Sequence, residues 1–87
     1  METETMSLRE YFNRSVEQFD DTMPVSVMYY FNGDEEGYED DYFEVSDSEL
    51  IIDGDLRFPL DIVGNVGPDG VFEFEYQRDQ IGIEFWF

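Results

Sequence analysis

The run Phe72-Glu73-Phe74-Glu75-Tyr76, the link Gln77-Arg78-Asp79-Gln80 and the return Ile81-Gly82-Ile83-Glu84-Phe85-Trp86-Phe87 carry the pattern that decides the fold. Successive side chains of a strand point to opposite faces. Phe72, Phe74 and Tyr76 therefore share one face, and Glu73, Glu75 and Gln77 share the other. After the turn, Ile81, Ile83, Phe85 and Phe87 repeat the alternation against Gly82, Glu84 and Trp86. Two such runs joined by a short polar link predict an antiparallel hairpin with one aromatic face and one acidic face.

Working outward, the rest of the chain reads as strands behind a single helix. Val25, Val27, Tyr29 and Phe31 alternate with Ser26, Met28 and Tyr30 up to the turn signal Asn32-Gly33. Phe43 and Val45 alternate with Tyr42 and Glu44. Leu50 to Asp53 is a short apolar strand ended by Gly54. Leu56, Phe58 and Leu60 alternate with Arg57, and Pro59 holds that segment at an edge or a bend. Val63 to Gly70 contains three glycines and a proline and reads as a loop. Residues Met1 to Met6 read as a frayed start. Ser7-Leu8-Arg9-Glu10 then matches a capping box, with Met6 and Tyr11 placed for a hydrophobic staple. Leu8, Tyr11, Phe12, Val16 and Phe19 recur at helical spacing, and Glu10 and Arg14 form an i,i+4 pair. Asp20, Asp21 and Pro24 end the helix near Phe19. The expected fold is α+β: one N-terminal amphipathic helix on an antiparallel sheet of four to six strands, in two layers and a single domain over residues 1–87.

The 87 residues hold 23 carboxylates and four arginines, with no lysine or histidine, for a formal charge of −19. Small domains are well served by a net charge of magnitude about 2–8, and a larger excess of one sign destabilises the compact state. Disorder needs low hydrophobicity as well as charge. Nine Phe, six Tyr and one Trp supply the opposite, so the chain is expected to fold. Adaptation to molar salt would explain the acids and the missing lysine. It usually trades large apolar side chains for small ones, whereas this chain has no alanine and many aromatics.

Chemistry is sparse. Without His, Cys or Lys, the usual bases and nucleophiles are missing, and no phosphate-binding loop, dinucleotide fingerprint or nucleophile elbow appears. Paired carboxylates could hydrolyse a glycoside, but that needs a deep sugar cleft. No enzymatic activity and no cofactor are expected. Asp34 to Asp41 and Asp53-Gly54-Asp55 offer hard oxygen ligands, yet neither has the spacing of a helix–loop–helix calcium site, and no metal is expected. Without an apolar span or a basic leader, the chain is expected to be soluble and cytoplasmic, in the host cell if phage-encoded. The anionic surface predicts no direct binding to nucleic acid or acidic membrane.

Binding by charge is what the pattern favours. Carboxylates two residues apart on one strand face lie about 6.6–6.8 Å apart, a separation comparable to neighbouring phosphates. Glu73 and Glu75 have this spacing, with Glu84 near them across the hairpin. The acidic loop Asp34, Glu35, Glu36, Glu39, Asp40 and Asp41 extends the row. Tyr30, Tyr38, Tyr42 and Trp86 fall on outward positions or in this loop, as aromatic anchors inside a charged rim would. The alternative for Trp86 is packing beneath a second layer.

In size and charge the chain resembles the small acidic nucleic-acid mimics that phages and mobile elements direct against host defence, such as anti-restriction and anti-CRISPR proteins. That class shares no alignable motif. The resemblance implies occlusion of a basic DNA- or RNA-binding surface on a CRISPR effector, restriction enzyme or nuclease, without catalysis. The other readings are an immunity protein or antitoxin that plugs one cognate nuclease toxin, and a housekeeping domain of a salt-adapted organism. The oligomeric state is left open.

Overall fold

The computed structural model describes residues 3–87. Along the chain run β1 (Glu4–Ser7), α1 (Leu8–Gln18), β2 (Ser26–Phe31), β3 (Tyr38–Asp40), β4 (Phe43–Val45), β5 (Glu49–Ile52), β6 (Leu56–Pro59), β7 (Val63–Val66), β8 (Phe72–Tyr76) and β9 (Asp79–Trp86). The strands form two antiparallel sheets, one of six strands in the order β1-β7-β8-β9-β2-β3 and one of three in the order β4-β5-β6. This overturns the expected single sheet of four to six strands beneath a helix.

Coverage explains the second sheet. An 11-residue helix is about 16 Å long and about 10 Å across. Six strands side by side span about 24 Å, so α1 leaves much of the apolar face bare. The meander β4-β5-β6 fills the gap with Leu50, Ile52 and Phe58, all fully buried. Phe58 packs edge-on to Phe74 and Tyr76, with ring centroids 5.4 and 5.5 Å away. Beside it, Tyr11 of α1 stacks on Phe72 at 5.2 Å, and Phe12 meets Phe85 at 4.9 Å. The helix and the small sheet thus share the layer that covers Val27, Phe72, Phe74, Ile81, Ile83 and Phe85.

The terminal hairpin keeps its alternation but turns more tightly than the four-residue link suggests. Tyr76 pairs with Asp79, leaving Gln77 and Arg78 as a two-residue turn, at φ 50° and 74°. The helix also starts as its capping residues predict: the Ser7 hydroxyl accepts from the Glu10 N–H at 3.2 Å. Arg14, however, pairs with Glu4 rather than Glu10. Of the expected frayed start, Met1 and Glu2 lie outside the described residues, while Glu4–Ser7 is strand β1. Its partner β7 occupies the segment read as a loop, with Thr5 opposite Asn65 and Met6 opposite Gly64. Gly64 is there for proximity: a Cβ on it would stand 2.4 Å from the Glu73 carbonyl oxygen. The acidic loop is also partly strand, since Tyr38–Asp40 pairs with β2 as the edge strand β3.

Candidate acidic face

The inward face of the six-stranded sheet is covered except near Tyr29, Phe31 and Tyr38; its outward face carries the acidic pattern. Glu73 lies opposite Gly82, and Gly82 opposite Tyr30. In the next outward row Glu84 lies opposite Met28, and Met28 opposite Glu39. Glu73 and Glu84 are therefore diagonal neighbours, about 7–8 Å apart at their Cα atoms. Glu75 continues the face opposite Gln80. Adjacent strands are about 4.8 Å apart, so the sheet itself sets the carboxylate spacing.

Two turns raise this face into an open cleft of about 380 Å³. Asn32 and Gly33, at φ 52° and 77°, form the tight turn after β2, and the Asp34 N–H closes it on the Phe31 carbonyl at 3.0 Å. Asp34 and Glu35 thereby come to one side of the cleft, while Asp69 arrives from the β7–β8 turn on another. Asn32 ties the rim together, accepting from the Gln80 N–H at 2.9 Å and donating to Asp79 Oδ1 at 3.2 Å. Asp69 is fixed by accepting from the Val71 N–H at 3.1 Å.

Tyr30 and Gly82 make the floor. A Cβ on Gly82 would lie 3.3 Å from one edge of the Tyr30 ring, and one on Gly37 would lie 2.6 Å from the other. The ring thus lies between two glycines, whose missing side chains leave room for it. Glu84 stands beside it, half-buried. Burial, and after it the charge of Asp69, pushes the Glu84 carboxyl above the usual glutamate range. Burial, then Glu84 and Asp69, likewise pushes the Tyr30 hydroxyl up. The cleft gathers Asp34, Glu35, Asp69, Glu73 and Glu84 around one aromatic ring.

The structure divides the sequence-derived candidates. Asp34, Glu35, Glu73 and Glu84 meet in the cleft. Glu39 and Glu75 extend the same face outside it, and Trp86, 42% exposed, lies on it opposite Ser26. Trp86 is therefore under no second layer. Glu36 and Asp41 are exposed beyond the cleft. Tyr38 and Asp40 lie on the other side of β3, opposite the inward-facing Tyr29 and Val27. Asp69 was absent from the sequence-derived set. Its signal was the turn Gly67-Pro68-Asp69-Gly70, but its place depends on β7, which local pattern did not reveal.

The arginines are elsewhere. Arg9 and Arg14 are on α1 and pair with Asp61 and Glu4, and Arg57 on β6 pairs with Glu49. Arg78 is in the tight turn at the end of the hairpin. None lines the cleft. Among the described residues no three acidic side chains converge as metal ligands would, and no helix is long and apolar enough to cross a membrane. Compared with known protein families, curated proteins and solved structures, the chain matches none.

Proposed function

We propose that this protein is a nucleic-acid mimic whose outward sheet face occupies a basic DNA- or RNA-binding surface of a host-defence protein, in the manner of anti-CRISPR or anti-restriction inhibitors. The observation that carries this reading is the outward face itself. Carboxylates from β3, β8 and β9 are spaced by the strand lattice, and those of two turns join them at the cleft around Tyr30. No three converge as metal ligands would among the described residues, and no arginine lines the cleft. A phosphate backbone presents the same thing to a protein: regularly spaced negative charge beside flat aromatic surface. Rigid spacing means little ordering is needed on binding, and the charge excess steers encounter with a basic channel. The chain acts as a steric and electrostatic plug, with no catalytic step.

The test is competition. Purified CRISPR effectors, restriction enzymes and nucleases are assayed for nucleic-acid binding with and without the protein, at several salt concentrations and with or without prior DNA loading. The expected result is displacement of nucleic acid that weakens as salt rises and is blocked by prior loading. Inhibition indifferent to both would overturn the proposal. Tight binding confined to the active site of one nuclease toxin would instead assign the chain as an immunity protein.

A further inference from the structure

On the opposite side of the large sheet, at the open end between the two sheets, lies a groove of about 400 Å³ lined by Tyr29, Phe31, Ile52, Asp53, Asp55 and Leu56. Two rings, Tyr29 and Phe31, line it, and Tyr38 of β3 packs against both from the sheet edge. Tyr29 and Tyr38 stack at 5.5 Å and 28°, Phe31 stands edge-on to Tyr29 at 5.8 Å and 86°, and Phe31 meets Tyr38 at 6.2 Å. Tyr38 is 51% exposed, while Tyr29 and Phe31 are half-buried against the core and keep part of their surface open at the groove.

The carboxylates at the groove are held by their own turn. Asp53 and Gly54 take φ 54° and 77°, and the Asp55 N–H reaches the Ile52 carbonyl at 3.3 Å. Ile52 pairs with Leu56, which closes a three-residue hairpin loop with an aspartate on each side of the glycine. The arginine nearest in sequence, Arg57, pairs with Glu49 and does not line the groove. Burial first, and then the charges of Asp40, Asp53 and Asp55, push the Tyr29 hydroxyl up.

We infer that this groove is a second docking site, one that takes an arginine side chain of a partner protein. A guanidinium is flat, so it stacks on the ring surface that Tyr29 and Phe31 leave open at the groove while its N–H fork meets the charge of Asp53 and Asp55. An ammonium group satisfies the charge but not the stacking. The groove belongs to a different surface from the outward face, and the inference stands or falls apart from the mimic reading.

The experiment is an NMR titration of the intact protein with Nα-acetyl-arginine amide and, in parallel, Nα-acetyl-lysine amide. The arginine derivative is expected to perturb the Tyr29, Phe31 and Tyr38 rings first and to bind about two- to fivefold more tightly than the lysine derivative. Asp53→Asn with Asp55→Asn and Tyr38→Ala is expected to abolish the preference. Asparagine tolerates the left-handed backbone at position 53, so the turn survives the change. Glu73→Gln with Glu84→Gln, on the other face, is expected to leave it intact. Shifts spread over all the acidic strands, or equal for the two derivatives, would reduce the groove to diffuse counterion binding and overturn the inference.

Discussion

Glu84 is the residue at which the acidic face and the stability of the fold oppose each other. Its carboxyl is held above the usual glutamate range by burial and by Asp69. A carboxyl whose folded pKa exceeds its unfolded value weakens the fold where it is ionised, and the penalty lifts as pH falls through the folded pKa. Glu84→Gln is therefore expected to stabilise the protein at neutral pH by less than about 1 kcal/mol after solvent screening, with the gain vanishing below the ordinary glutamate range. Thermal melts of both proteins from pH 7 to pH 3 read this out, and a destabilised variant at neutral pH would contradict it. Glu4 runs the other way. Its hydrogen bond to Arg14, and then that arginine's charge, hold its carboxyl low, so its contribution is present above the unfolded pKa and lost as pH falls through the folded one. Local backbone strain sits at Gln77 and Arg78, two residues with side chains in the left-handed region. That conformation costs about 1–2 kcal/mol per ordinary residue and suits Asn-Gly far better. Gln77→Asn with Arg78→Gly is expected to raise the urea midpoint, corresponding to about 1–2 kcal/mol, without moving the acidic face.

At the scale of elements, glycine placement decides how closely strands approach. A Cβ on Gly64 would meet backbone, the Glu73 carbonyl at 2.4 Å, which cannot step aside while β8 stays in register. At Gly82 the obstacles are side chains, Val71 Cγ1 at 3.0 Å and the Tyr30 ring at 3.3 Å. Gly64→Ala is accordingly expected to destabilise by about 1–3 kcal/mol in urea unfolding, and Gly82→Ala by less. The same glycine explains a misreading. Within Val63–Gly70 it carries the mark of a loop, yet it serves β7, whose partner β1 is some 60 positions away, as in Glu4 with Val66. No local pattern carries such a pairing, and β1 offers a single buried apolar side chain, Met6. The elements legible in the sequence are those that state their own pattern: the terminal hairpin through strict alternation, and α1 through Ser7 and its apolar stripe. Glu73 and Glu84 inherit that legibility. Asp69 does not, because it reaches the cleft through β7. Likewise the Phe43–Val45, Leu50–Asp53 and Leu56–Leu60 runs were each readable as strands, but only the area left bare by α1 shows that they form a sheet of their own.

For the molecule as a whole, the charge of −19 sets a condition on the mimic reading. A protein whose excess charge serves a partner is expected to be folded at ~0.15 M salt and to gain only modestly in stability from further screening. Circular dichroism across a salt series measures this, and folding confined to molar salt would point to salt adaptation instead. Binding, in contrast, is expected to be spread over many contacts. Glu73→Gln alone is expected to weaken a target by about 1 kcal/mol or less, while neutralising Asp34, Glu35, Asp69, Glu73 and Glu84 together abolishes competition and leaves the sheet intact. The strand order bears on a different question, that of when the face comes into being. β9 is the latest strand in the chain, yet it lies between β8 and β2 in the large sheet. A chain synthesised only as far as β8 has its acidic residues on two pieces of sheet with nothing to join them. The β2–β9 pairing spans more than half the chain, so its loop closure places it among the slow steps of folding. The carboxylate lattice is complete only when β9 is in place, and on the mimic reading a chain lacking β9, however acidic, is expected to compete poorly.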